Sequence, residues 1–215
     1  MFESQTVAIV GIGGIFPGAR DLGEFWANIL DGVSAAREVP EGRWAIPVAD
    51  AYDPNVATAD KVYSTRGCFI EEVPRKSTMG LDISPDMLAG LDPVFHLLLH
   101  AGHQAFRDAA TSGIDRSKFG VIIGNIALPT EEASALAREY LGRSLEEKVL
   151  GQSRLATLPG TNPLNRYVAG LPAGVLAKSL GLGGGSLALD AACASSLYAL
   201  KLAVDELLAE DLRSR

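Results

Sequence analysis

The sequence predicts an α/β fold, with strands of a parallel sheet layered against helices, on three observations. Three short apolar runs bounded by breakers read as buried strands: Thr6 to Gly11, Lys118 to Gly124, and the Ser-Leu-Ala-Leu run from Ser186 to Leu189. Segments with apolar residues at helical spacing alternate with them, the order expected of right-handed crossovers between parallel strands. The chain has 215 residues, 47% hydrophobic and 21% charged, which suits one globular domain with a real core.

Each element follows from local chemistry. Thr6 to Gly11 opens the chain as a strand, and Asp21 can cap a helix to Leu30 that carries Leu22, Phe25, Trp26 and Ile29 on one face. From Gly32 to Gly80 the chain is rich in Pro, Gly and charge, with one strand-like run, Gly67 to Glu71; a connection of that length in a compact domain is usually functional or an interface element. Asp92 as N-cap and Pro93 in the first turn start a helix reaching about Ala110. After the strand ending at Gly124, Pro129 to Leu141 and Ser144 to Leu150 read as short surface helices. Asn162 to Leu180 reads as one helix with a kink at Pro172. Gly183-Gly184-Gly185 then breaks the chain before the last strand, and Leu197, Leu200, Leu202, Val204, Leu207 and Leu208 mark a final helix.

Cys193 falls where that last strand turns into that last helix, in Asp190-Ala191-Ala192-Cys193-Ala194-Ser195-Ser196. A thiolate in the first helical turn meets unpaired N–H groups and the positive end of the helix dipole, an interaction of about 0.3–1 kcal/mol that favours the nucleophilic form. The plain alternative is a small buried residue in an Ala-rich helix.

The stretch resembles the nucleophile elbow of the β-ketoacyl synthases of fatty-acid and polyketide synthases, usually Asp-Thr-Ala-Cys-Ser-Ser-Ser, with Ala191 and Ala194 as departures. Other segments are similar to the same family in order. They are Val7 to Gly18 with Phe16-Pro17-Gly18, Phe25-Trp26 and Leu30-Asp31-Gly32, Tyr52-Asp53-Pro54, Ile83-Ser84-Pro85, and Leu91-Asp92-Pro93 followed by Leu97-Leu98-Leu99. The pattern is nearer the modular polyketide and polyunsaturated fatty-acid synthase type.

The resemblance implies residues 1–215 as a β-ketoacyl synthase N-terminal domain, the N-terminal half of a thiolase-like fold: layered α/β/α, with a mixed sheet and a buried central helix carrying Cys193. It implies an acyltransferase in which Cys193 takes an acyl chain from the phosphopantetheine arm of an acyl carrier protein. A malonyl extender then loses CO₂ and condenses with the acyl-Cys. The family assigns the second step to two histidines in its C-terminal half, which this chain lacks; it carries the nucleophile half only. A truncated gene, a split subunit and an artificial boundary all stay open. A helix meant for burial would then expose Leu197, Leu200 and Val204, so the expected partners are an acyl carrier protein and either a second copy or the missing C-terminal half. The alternative reading is a non-catalytic dimerisation or interaction fragment of a synthase. A cysteine hydrolase is disfavoured because no His or Asp is placed by motif to act as base.

Competing sites are weaker. Gly11-Ile-Gly13-Gly14-Ile-Phe16 follows a strand like a dinucleotide loop, but Phe16 stands where the third glycine should be and Pro17 breaks the receiving helix. His96, His100 and His103 share a helix face, which makes a Zn site conceivable, yet residues seven apart lie about 10 Å apart along the axis, awkward for three bonds to one ion, and a partly packed polar face is the preferred reading. No metal and no tightly bound cofactor is expected. Cys68 reads as a small packed residue, Ser195 and Ser196 as capping or packing residues, and Tyr198 as a core aromatic, with a hydroxyl near a partner chain as the alternative. Ala127 to Leu155 is the expected pocket-lining stretch.

A net charge of −7 disfavours nucleic acid and anionic membrane as partners. Two cysteines in dissimilar settings do not form a disulfide framework, the N-terminus lacks the pattern of a signal peptide, and no long apolar run exists, so the cytoplasm is the expected compartment.

Overall fold

Asp21 starts the first helix as expected: its carboxylate accepts the Glu24 amide at 2.9 Å, and α1 (Leu22–Leu30) follows. The computed structural model describes residues 6–70, 82–111, 113–126, 128, 130–152 and 162–213. The chain divides into two units, one of residues 14–72 and one of residues 1–13 with 73–215.

In the smaller unit the Phe16 ring stacks on Phe25 of α1, with centroids 4.1 Å apart. Strand β1 (Ala36–Glu38), helix α2 (Val48–Ala51) and strand β2 (Arg66–Cys68) follow, and β1 pairs antiparallel with β2 in the register Ala36 to Cys68. The strand expected from Gly67 thus begins one residue earlier and ends at Cys68, which is exposed rather than packed.

The larger unit is built around helix α4 (Pro93–Asp108). Ser84 caps the short α3 (Pro85–Leu88), accepting the Met87 amide at 3.2 Å; Asp92 caps α4 (Pro93–Asp108), accepting the Val94 amide at 3.0 Å. Leu88, Leu91, Phe95 and Leu99 from this region are all buried in the core around it. Asp92 and Asn165, both fully buried, lock it to a distant loop. The Asp92 amide donates to Asn165 Oδ1 and Asn165 Nδ2 donates to the Gly90 carbonyl, each at 2.9 Å, while the Thr130 hydroxyl bonds the Asp92 carboxylate.

Strand β3 (Val121–Gly124) follows a 3-10 turn, Arg116–Lys118, that replaces the start of the expected longer strand. Helix α5 (Glu131–Ala137), a π turn (Arg138–Gly142) and α6 (Arg143–Leu150) join without a break where two separate helices were expected. The expected helix from Asn162 to Leu180 is instead a 3-10 turn, Pro163–Tyr167, and then α7 (Leu171–Leu180). Each proline sits in a first turn, where its missing N–H costs nothing, so Pro172 starts a helix rather than kinking one.

Strand β4 (Ser186–Leu189) pairs parallel with β3 in the register Val121 to Ser186 through Gly124 to Leu189. Alternation along the strands separates two faces. Val121, Ile123 and Ala188 join the core with buried α7, while Gly124 faces α8 (Ser195–Arg213), which packs on both strands. This is the expected helix–sheet–helix layering. The expected buried helix, however, is covered on one side only: Ala199 is buried, but Leu197 is 72% and Leu200 55% exposed because no part of the described chain lies over them.

The first expected strand does not form. Residues 6–10 pair with no strand among the described residues, and Ile9 and Val10 are exposed. The segment is held instead against α4, where the Ile12 amide donates to Asp108 at 2.9 Å. Its glycines permit that contact: a Cβ on Gly11 would lie 2.4 Å from the Ala105 carbonyl, and one on Gly13 2.3 Å from that of Ala101. No helix of the described residues is long and apolar enough to cross a membrane.

Candidate functional site

The turn between β4 and α8 is held by its own side chains. Asp190 accepts the Ala192 amide at 2.9 Å, and Ala192 takes a φ of +50°, in the left-handed region that an L side chain rarely occupies. Ser195, the first residue of α8 and only 5% exposed, spans that residue. Its hydroxyl accepts the Ala191 amide at 2.9 Å and donates to the Ala192 carbonyl at 2.7 Å. The Ala194 amide closes the 3-10 turn, Ala192–Ala194, on the Ala191 carbonyl at 3.1 Å.

Cys193 is at the crest of this turn with its side chain exposed, one short turn ahead of α8 rather than within it. Among the described residues, the hydrogen bonds of the turn use the amides of Ala191, Ala192, Ala194 and Ser195 and leave out that of Cys193. An exposed thiol sulfur and an N–H outside the turn's hydrogen bonds thus share one residue at the head of a helix. That pairing suits attack on a carbonyl whose oxygen becomes negative.

The end of β3 supports the turn, through residues that sequence reasoning passed over. The Asn125 amide donates to the Leu189 carbonyl at 2.9 Å. Its side-chain amide donates to the carbonyls of Val168 and Ala169 at 2.8 and 3.0 Å, tying the strand ends to the lead-in of α7. Gly124 lies directly against Ser195. The only signal in sequence is a Gly-Asn pair closing an apolar run, a turn signature without a partner.

Cys193 therefore stands at the carboxyl ends of two parallel strands, the side on which open α/β sheets place their ligands. A groove of about 620 Å³ opens at the opposite ends, lined by Phe119, Ile122, Gly185, Leu187, Ala203 and Leu207, and does not reach the thiol's end of the sheet. In the stretch expected to line an acyl pocket, residues 127, 129 and 153–155 lie outside the described residues, and the remainder is largely α5, the π turn and α6.

The other candidate residues lie elsewhere. All three histidines are on α4: His96 is buried, and the His100 ring bonds the Gln104 side chain at 2.9 Å. Burial, with Arg107 and His100 adding positive charge nearby, holds His103 below the usual imidazole value. Among the described residues no three of His, Cys, Asp and Glu are grouped to hold a metal ion. Tyr198 is exposed, not a core aromatic. Cys68 lies in the smaller unit.

Comparison with known proteins matches residues 4–213 to the family described as beta-ketoacyl synthase, N-terminal domain. The chain is 34% identical over 202 residues to the polyketide synthase ThaG of Burkholderia thailandensis, covering 93% of this chain and 3% of that protein. Among solved structures it is similar to the PfaC keto synthase–chain length factor, with a TM-score of 0.77 and 32% identity over 92% of this chain and 22% of that one. It is also similar to the ketosynthase from module 6 of the bacillaene synthase from Bacillus subtilis 168, with a TM-score of 0.66 and 26% identity over 95% of this chain and 30% of that one. The chain spans a small part of the length of each.

Proposed function

This chain belongs to the β-ketoacyl synthase family, with the thiolase-like α/β fold of its ketosynthases, and on that premise we propose that Cys193 is the residue that accepts the acyl chain. The sulfur attacks the carbonyl carbon of a thioester on the phosphopantetheine arm of an acyl carrier protein. Negative charge passes to the oxygen, where the Cys193 amide donates to it, a type of contact whose removal costs about 3 kcal/mol of transition-state stabilisation. Collapse breaks the original C–S bond and the departing thiolate takes up the proton given up by Cys193. In the second half-reaction a malonyl extender loses CO₂, its carbanion attacks the acyl-Cys, and the thiolate is released with a 3-oxoacyl product. The histidines on α4 are not assigned to that step: His96 packs in the core. A free thiol of this kind works in a reducing compartment such as the cytoplasm.

The observation that carries this reading is the exposed Cys193 beside its own unengaged amide, at the carboxyl end of the sheet. Incubation with an acyl-pantetheine thioester should add one acyl mass to Cys193, and Cys193→Ala should abolish it. A protein that takes no acyl group, or takes it equally at Cys68, refutes the assignment.

The exposure of Leu197 and Leu200 favours a second reading, a dimerisation or interaction element of a synthase without catalysis. A stable dimer by analytical ultracentrifugation that fails to acylate selects it.

A further inference from the structure

We propose that Ser195 is a positioning residue for Cys193, a clamp that holds the preceding residue in a shape it would not keep unaided. The proposal rests on the assignment of Cys193 as the acyl-accepting residue. Ala192, at φ +50°, has its Cβ crowded against its own backbone, and nothing in a methyl side chain compensates. Side-chain hydrogen bonds hold the turn, and Ser195 Oγ makes two of them, one with the amide before the strained residue and one with the carbonyl of that residue itself, beside the bond from the Ala192 amide to Asp190. The clamp has little freedom to swing away. Ser195 is buried, and Gly124 is so close that a Cβ there would lie 2.8 Å from the Ser195 Cβ.

The arrangement decides what Cys193 can do. Were Ala192 to relax to right-handed helical angles, the chain would leave Ala191 in another direction, and the Cys193 sulfur and amide would turn with it. Held at positive φ, the turn keeps the sulfur and the amide together on its crest. The clamp thus matters more for acyl transfer, which needs both sulfur and amide, than for simple alkylation, which needs only the sulfur.

Iodoacetamide alkylation and acylation by an acyl-pantetheine thioester, each followed at Cys193 and Cys68 by mass spectrometry, test this on the full chain. Ser195→Ala is expected to slow acylation of Cys193 on the order of ten-fold, the loss of about one hydrogen bond, to slow its alkylation less, and to leave Cys68 unchanged. Adding Ala192→Gly should restore the lost rate, because glycine adopts positive φ without help. A Ser195 that serves only as packing or as a helix cap would not be rescued by a change at 192. Unchanged rates at Cys193 in Ser195→Ala, or a loss that Ala192→Gly does not restore, overturn the proposal. Should Ser195→Ala fail to fold, the urea midpoint of Ala192→Gly alone decides: relief of a strained turn raises it, and a lowered midpoint overturns the clamp. If the wild-type protein accepts no acyl group, the assignment of Cys193 fails by itself. The alkylation series still judges the clamp, which then stands only if alkylation falls in Ser195→Ala and returns in the double variant.

Discussion

Gly124 and Ser195 meet with no room for a side chain between them: a Cβ on Gly124 would lie 2.6 Å from the Ser195 carbonyl carbon and 2.7 Å from its oxygen. The obstacle is backbone in the first turn of α8, which cannot rotate aside. Gly124→Ala must therefore push α8 away from β3, and overpacking of this kind costs about 1–3 kcal/mol. The expected result is a lower urea midpoint together with slower acylation of Cys193. A variant with wild-type stability and acylation would mean that the strand and helix are not held at this separation.

Asn165 supports the buried Asp92 amide and also holds the carbonyl of Gly90, a residue that is itself exposed. Asn165→Ala leaves the Asp92 amide without that partner where water does not reach, while solvent can take over at Gly90, at a cost of about 1–3 kcal/mol. Urea unfolding measures it. A change under half of that would show that solvent or a neighbouring group takes over the bonds.

The residues that close these contacts explain what could and could not be read in advance. Asp21 and Asp92 announce their helices because a cap bonds amides two or three residues away. Val121–Gly124 and Ser186–Leu189 were legible because a buried strand is a short apolar run between breakers. The run from Thr6 to Gly11 has the same signature and forms no strand. Apolar alternation records a need for burial, but a strand also needs a neighbouring backbone, and 6–10 find none among the described residues. Strand β1 was missed for the opposite reason: three residues including Arg37 and Glu38 carry no pattern. At the site, Cys193 could be picked out by its surroundings in sequence. The clamp at Ser195 could not, because its partners are backbone groups brought within reach only when Ala192 turns to positive φ.

Residues 6–13 offer a test of what holds them. A Cβ on Gly13 would come 2.3 Å from the Ala101 carbonyl and 2.4 Å from the Ala105 amide, both inside α4. Gly13→Ala should lift the segment from the helix while the core around Phe95 stays folded. Limited proteolysis is expected to cleave near residue 13 faster than in the wild type, with little change in the urea midpoint. Equal cleavage rates would show that the segment is not held through this contact.

The last expectation concerns pH. Burial, then the positive charge of Arg107 and of His100, lowers the His103 pKa from the ordinary value of 6.5. The unfolded chain therefore takes up a proton at His103 at a higher pH than the folded chain does. The stability tied to the neutral ring is complete above the unfolded value and is lost as pH falls through it toward the folded one. Between pH 7.5 and 5.5 the wild-type urea midpoint should fall more than that of His103→Gln, whose side chain does not titrate. The comparison isolates this group, because every other residue is the same in both proteins. Parallel lines for the two proteins would show that His103 is as easily protonated in the folded chain as in the unfolded one, and that its place on α4 exacts no electrostatic cost.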